Sequence, residues 1–158
     1  MQLALTRGMH FAKIEGWRRA AAIYRVAAGA PYFDDLAALH EALGLALPAQ
    51  GAQMVAHLTP LRNRELLICA PTLEAIAAPL AAGLLGLIAH MGVRAFNVAI
   101  ALPPLAPARE DWSDMPVFAR LGDRGNPLTN RNDVGAMELF AAGCITADPF
   151  AVAADLRA

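Results

Sequence analysis

Between residues 75 and 89 the chain runs fifteen positions without a charge, interrupted only by Pro79, Gly83 and Gly86 among apolar residues. A membrane-spanning helix needs about 20 apolar residues, so this run reads as too short to cross a bilayer. Its spacing offers a better account. Leu80, Leu84, Leu87, Ile88 and Met91 recur at i, i+4, i+7, i+8 and i+11, one face of an amphipathic helix. Thr72 with Glu74 marks the N-terminal side, Gly92 is placed to end the helix as a left-handed cap, and Pro79 either kinks it or opens its main part. Ala81, Ala82, Gly83 and Ala89 keep the rest of its surface thin, which suits close packing on a sheet.

On both sides of this helix the period changes to two. Residues 53–58 and 64–70 read as short strands joined by Thr-Pro-Leu-Arg-Asn, an antiparallel hairpin with Arg62-Asn63-Arg64 at a solvated tip. Residues 95–102 put Phe96, Val98, Ile100 and Leu102 on one face and Asn97, Ala99 and Ala101 on the other, and Pro103-Pro104 stops the strand. Residues 115–121 form a further strand, with Val117, Ala119 and Leu121 opposite Phe118 and Arg120. Asp148-Pro149 is a helix start, an N-cap acid followed by Pro at the first position, leading to Leu156. In the first third, residues 3–6 and 9–14 flank Arg7-Gly8 and read as a hairpin. Residues 17–26 lean towards strand, and 33–45 read as a helix with Leu36, Leu39, Leu43 and Ala46 inward. The sum is an α+β fold, helices laid against a largely antiparallel sheet.

Composition removes several function classes. One domain's worth of chain, 158 residues, carries 13 basic and 14 acidic side chains for a net charge of −1, so nothing in the balance points to nucleic acid or an anionic membrane. Of the hydrophobic residues 36 are Ala, and charged residues make up 17%. Ser113, the only serine, lacks the glycines of a nucleophile elbow, and Lys13, the only lysine, lies in no glycine-rich phosphate loop. Cys69 and Cys144 each sit among apolar residues and read as small buried hydrophobes. His10, His40, His57 and His90 are too scattered for a helical zinc pair, and His57 and His90 read as structural. Trp17 and Trp112 read as cover for the core edge. The N-terminal residues lack the basic start and apolar run of a signal peptide, so the expected setting is a reducing cytoplasm.

Polarity concentrates in residues 103–114 and 122–133, which makes these segments the expected place for a site. Asp123, Arg124 and Arg131, with Arg120 just upstream, combine two glycines that permit close backbone approach with guanidinium forks suited to phosphate or carboxylate oxygens. Two readings stand: the segment binds an anionic small molecule such as a nucleotide or sugar phosphate, or its Asp and Arg side chains pair with one another in a solvated loop. Asn97 either bonds a ligand or satisfies a neighbouring turn. Glu138, the lone charge in an apolar run, is either a partly buried acid with a role or an outward strand residue. No cofactor is indicated.

Several strings, taken in order, resemble the histidine-triad superfamily, and specifically the C-terminal half of galactose-1-phosphate uridylyltransferase-type and dinucleoside-polyphosphate phosphorylase-type proteins. They are Arg64-Glu-Leu-Leu-Ile-Cys-Ala-Pro71, the long helix, Phe96-Asn-Val-Ala-Ile-Ala-Leu-Pro103, Gly135-Ala-Met-Glu138, Gly143-Cys-Ile-Thr146, and Asp148-Pro149 through Ala154-Asp-Leu-Arg157. The resemblance spans about residues 53–158, with residues 1–50 as a hairpin and helix extension of one HIT-like domain. It implies nucleotidyl transfer, in which a histidine attacks the α-phosphorus and the nucleotidyl group is then captured by a second phosphate. This chain departs from the family at the nucleophile: no His-x-His occurs in it, and Met115-Pro-Val-Phe-Ala-Arg-Leu121 carries no histidine.

The expectation is therefore a nucleotidyltransferase-related domain that binds a nucleotide or sugar phosphate through Arg120, Asp123, Arg124, Arg131, Asn97 and Glu138 without supplying the nucleophile. The alternative is a non-catalytic oligomerisation or interaction domain. In either case the expected partner is a second copy or the other half of a larger chain.

Overall fold

The computed structural model describes residues 9–126, 128 and 145–157. Helix α1 (Met9–Ala28) and helix α2 (Tyr32–Ala42) precede strands β1 (Ala46–Leu47), β2 (Gln53–Ala56) and β3 (Leu66–Ala70). Helix α3 (Leu73–Met91), strands β4 (Phe96–Ala101) and β5 (Val117–Asp123) and helix α4 (Pro149–Asp155) follow. The strands make one sheet in the order β1-β2-β3-β5-β4, antiparallel throughout. The mixed helix and antiparallel-sheet class expected from the pattern is the one observed.

Register assigns the two faces. Met54 pairs with Ile68, Ile68 with Ala119 and Ala119 with Ile100, and directly opposed residues share a face. That face carries Met54, Ala56, Leu66, Ile68, Ala119 and Leu121 into one cluster with Ile76 and Leu87 of α3 and Val152 of α4. The opposite face carries Val55, Leu67, Cys69 and Phe118 into a second cluster with Ala21 of α1 and Phe33 of α2. The alternation read for residues 115–121 is thus the observed one. β3 is buried at every position, as befits a central strand covered on both sides.

Helix α3 ends as its sequence predicts: the Thr72 hydroxyl accepts the Ala75 amide at 3.3 Å, and Gly92 takes a left-handed φ of 63°. Two details differ. The helix spans 19 residues, longer than its uncharged core, and is long and apolar enough by length and composition to cross a membrane. Its packing on β3 and β5 accounts for its inner face, where Ile76, Pro79, Gly83 and Leu87 are buried. Ile88, expected inward, is 45% exposed, because Gly83 and not a leucine forms the centre of the contact. A Cβ there would lie 2.9 Å from Leu66 Cδ1 and 3.2 Å from Met54 Sδ.

The N-terminal expectations fail in an instructive way. Residues 9–14 belong to α1 and not to a hairpin, residues 3–6 lie outside the described residues, and residues 17–26 are helix rather than strand. Ile14, Trp17, Ala21 and Tyr24 recur at i, i+3, i+7 and i+10, and the first three pack against the second cluster or belong to it. Glu15 supports the first turns through Arg18 and Arg19, three and four residues on. In α2 the buried positions are Phe33 and His40, with Leu36 partly buried, whereas Leu39 and Leu43 are exposed. The helix stops at Ala42, and Gly44, at a φ of 71°, turns the chain so that Leu45 is buried and Ala46 enters β1. Counting leucines missed this stripe because a histidine with both ring nitrogens bonded occupies a core position.

The edges of the sheet differ. At β1, Arg157 donates to the carbonyl of Ala46 at 2.7 Å and also bonds that of Gly44. β4 has no such cover among the described residues. Its faces alternate as expected, yet only Ala101 is buried, because α3 lies over β3 and β5 and stops short of β4.

Candidate functional site

The hairpin tip expected to be solvated has Arg62 exposed and Asn63 and Arg64 half-buried, and it is tied to the rest of the fold. Arg64 holds a left-handed φ of 51°, which turns the chain so that Glu65 points back under the loop. Glu65 Oε2 accepts the amides of Leu61 at 2.8 Å and Arg62 at 3.1 Å. Its Oε1 accepts His57 Nδ1 at 3.1 Å and Arg120 Nε at 2.8 Å, and Arg120 Nη2 bonds the same oxygen. Asn63 ties the tip to the chain before α4, its Oδ1 accepting the amides of Thr146 at 2.7 Å and Ala147 at 3.2 Å. Glu65 is only 4% exposed. Burial pushes its carboxyl up, and the bonds from His57, Arg120 and the Leu61 amide outweigh that and hold it below the ordinary carboxylate range.

His40 completes the cluster. Its ring stacks on that of His57 with centroids 5.8 Å apart. His40 Nε2 accepts the Leu58 amide at 3.0 Å, so the proton must sit on Nδ1, which donates to the Leu36 carbonyl at 2.7 Å. Burial, helped by His57, keeps the His40 pKa below the usual value despite the Leu36 bond. A histidine whose folded pKa is depressed contributes stability that is present above pH 6.5 and lost as pH falls towards and through the depressed value. The unfolding free energy measured by urea titration is therefore expected to decline from pH 7 to pH 5.5. In His40→Gln this decline should flatten, with a loss of ~1–3 kcal/mol at pH 7.5 if the Leu58 amide is left unpaired. An unchanged slope in the variant would assign the pH dependence elsewhere.

The predicted anion-binding residues are separated by the strand period. Arg120 is committed to Glu65 and lies over the Trp17 ring at 5.2 Å. Asn97 shares its face as a diagonal neighbour across β4 and β5. Asp123 lies on the other face, where it pairs with Arg64 at 2.6 Å and accepts the Gly125 amide at 2.7 Å. Arg124 is exposed, and its amide donates to the Ala95 carbonyl at 2.9 Å. Arg131 and Glu138 lie outside the described residues, as does Cys144. Near Asp123 an open depression of about 420 Å³ is lined by Arg64, Arg94, Asp123 and the backbone of Gly92 and Gly125. It sits at the negative end of the α3 dipole and holds one carboxylate.

A second depression, about 640 Å³, runs between Arg25, Phe33, Gln53, Asp114 and Met115, with Cys69 at its floor. Burial pushes the Cys69 thiol up to about 12, so it behaves as the small hydrophobe expected. Trp17 covers the core edge as read, stacked on Phe118 at 4.8 Å. Among the described residues no group of three or more metal-ligating side chains is formed.

Among the described residues the β4 edge presents a row of exposed apolar side chains. Phe96, Val98, Ile100 and Leu102 are 41%, 39%, 43% and 37% exposed, and a folded protein normally blunts an edge strand with charge, Pro or a covering segment. Gly86 of α3 abuts Leu156 at the end of α4, which itself packs on β2. The opposite flank of α3, with Leu80, Leu84, Ile88 and Met91, must therefore face the β4 side of the sheet. Of that flank Ile88 is exposed, while Leu80, Leu84 and Met91 are half-buried against the first cluster. The alternation puts these β4 residues on one face, as expected; that the face is exposed follows from the edge position, a property of strand order that no local pattern encodes. No protein-family model and no curated protein matches the chain.

Proposed function

We propose that this chain is a HIT-like domain working as a non-catalytic interaction module, and that its working surface is the β4 edge with the adjoining flank of α3. The observation that carries this reading is the uncharged row Phe96, Val98, Ile100 and Leu102, exposed together at a sheet edge. Contiguous exposed apolar surface of this kind marks association sites. The HIT-like assignment is supported by the order in which the resembling strings fall on β3, α3, β4 and α4. A reducing, cytoplasmic setting suits the unpaired thiol of Cys69. The partner is a second copy, so light scattering of the purified chain is expected to give twice the chain mass. A single-chain mass at every concentration would overturn the reading.

A second proposal keeps the nucleotidyltransferase-related role, with a nucleotide or sugar phosphate as ligand. It is favoured by Arg94, which lines the depression beside Arg64 and has no bonding partner among the described residues. Binding at about a hundred times the dissociation constant adds ~2.7 kcal/mol, which raises the Tm of a domain this size by roughly 5–10 °C. UMP, AMP or UDP-glucose is expected to produce such a shift, and Arg94→Ala or Arg124→Ala to remove it. No shift with any of the three at millimolar concentration would end the proposal.

A further inference from the structure

We infer that residues 103–109 are a docking segment for a protein domain that reads extended proline-rich chain, in a groove lined by aromatic side chains with a carboxylate at one end. The segment runs Pro-Pro-Leu-Ala-Pro-Ala-Arg. It opens the stretch 103–114, one of the two in which concentrated polarity predicts a site, and the Glu65 cluster makes no use of it. This role is independent of the association proposed for β4.

The prolines pre-set the backbone. The rings of Pro103, Pro104 and Pro107 hold φ near about −65°, and a proline confines the residue before it to extended conformations, which here adds Ala106. Of residues 103–107 only Leu105 escapes both restraints, and the chain bends at Leu105-Ala106. Straightening the segment into polyproline II therefore draws mainly on the torsions of one residue, and little ordering entropy opposes docking. Proline also lacks the N–H that an added strand or a helix would need, so those two modes of recognition are closed to this segment.

The fold leaves the segment bare. Residues 103–110 form no backbone hydrogen bond with the described residues, and the chain is next held at Asp111, whose carbonyl accepts Arg18 Nη1 at 3.2 Å. Residues 104–109 are all exposed, and Leu105 is 94% exposed. Arg109 has no bonding partner among the described residues. With three residues per turn, Pro104 and Pro107 share one edge of the extended segment, and Pro103, Ala106 and Arg109 share the next. Leu105 falls on the third edge. A groove that receives the two proline edges thus meets a guanidinium at their end and leaves Leu105 in water, which is the way Pro-x-x-Pro chains dock on aromatic grooves. Arg109 is the only charge in residues 95–109. Its planar fork suits a carboxylate on the partner and fixes the direction in which the chain lies.

Titration of the isotope-labelled full chain with a purified SH3 domain that accepts Pro-x-x-Pro ligands tests the docking, read by nuclear magnetic resonance. Saturable shift changes are expected at Leu105, Ala106, Ala108 and Arg109 and at none of the helices. Pro104→Ala, Pro107→Ala and Arg109→Glu are each expected to weaken binding on the order of tenfold or more, whereas Leu105→Ser leaves it unchanged. Because the segment makes no backbone hydrogen bond with the fold, all four variants should stay folded by circular dichroism. Absence of shifts at millimolar domain would overturn the docking role. So would binding that is lost in Leu105→Ser and kept in Arg109→Glu, the signature of unspecific apolar contact. Equal shifts with an SH3 domain whose groove aromatics are replaced by alanine would overturn it too.

Discussion

Glu65→Ala is expected to lower the stability of this domain by ~3–5 kcal/mol, the usual cost of stripping one partner from a buried ion pair. In a chain of this size that corresponds to a fall in Tm of about 10 °C. Four donors converge on the carboxylate: the His57 ring, the Arg120 guanidinium and the amides of Leu61 and Arg62. Truncation leaves a largely buried guanidinium without its counter-charge and two loop amides without an acceptor, while water gains little access. Glu65→Gln keeps a carbonyl for one amide or one guanidinium nitrogen and should lose about half as much. Because the penalty comes from leaving Arg120 stranded, Glu65→Leu combined with Arg120→Leu is expected to cost less than Glu65→Leu alone. Urea unfolding of the four variants measures this directly. A loss below about 1 kcal/mol for Glu65→Ala would mean that solvent already serves the cluster.

The second large effect is steric. Gly83→Leu is expected to destabilise by ~3 kcal/mol, at the upper end of the usual cost of overpacking, and to loosen α3 from the sheet. The space a side chain needs at this position is occupied by Leu66 Cδ1, Met54 Sδ and Leu121 Cδ2, and Leu66 and Leu121 are fully buried. Gly83→Ala sets a gain of ~1 kcal/mol in helix propensity against the 2.9 Å approach to Leu66, and is expected to come out near neutral. Gly86→Ala provides the contrast. There the obstruction, at 2.7 Å, is Leu156 Cδ2, the tip of a half-buried side chain at the end of α4. That tip can swing away, so the propensity gain survives and the variant should be at least as stable as wild type in thermal unfolding. Similar costs at both glycines would remove Gly83 from the centre of the helix–sheet contact.

Much of the architecture is legible in local pattern. Period-two alternation located β2, β3, β4 and β5, and Asp148-Pro149 marked the start of α4. Thr72 and Gly92 bracketed α3. Each of these signals is a property of a few adjacent residues, so no knowledge of distant contacts was needed. The N-terminal helix is hidden in the local pattern because Tyr24 and Val26 carry strand propensity, while the helical spacing of Ile14, Trp17, Ala21 and Tyr24 shows only when the partner surface of Phe33 and Phe118 is known. Propensity yields to burial in such a case.

The candidate site was less legible. The charged residues of 120–124 are close in sequence and so read as one group, yet a strand turns alternate side chains to opposite faces. Arg120 therefore meets Glu65, and Asp123 meets Arg64, on different sides of the sheet. Glu65 stands at the head of the uncharged Leu66–Ala70, and a lone acid in that position is the kind of charge that must find partners. The stacking of His40 on His57 joins residues 17 positions apart through two elements, and spacing rules for metal pairs do not reach it.

The sequence by itself determined which segments are helix and strand around α3, where their caps lie, and which faces are apolar, since those depend on periodicity and on the torsional habits of Gly, Pro, Thr and Asp. Strand order was decided only by the tertiary structure. Once β5 took the place beside β3, β4 became an edge, and its apolar row passed from core to surface. The same residues that would have filled an interior then form the surface on which association is expected, because burial is set by what lies across a strand and not by the strand's own residues.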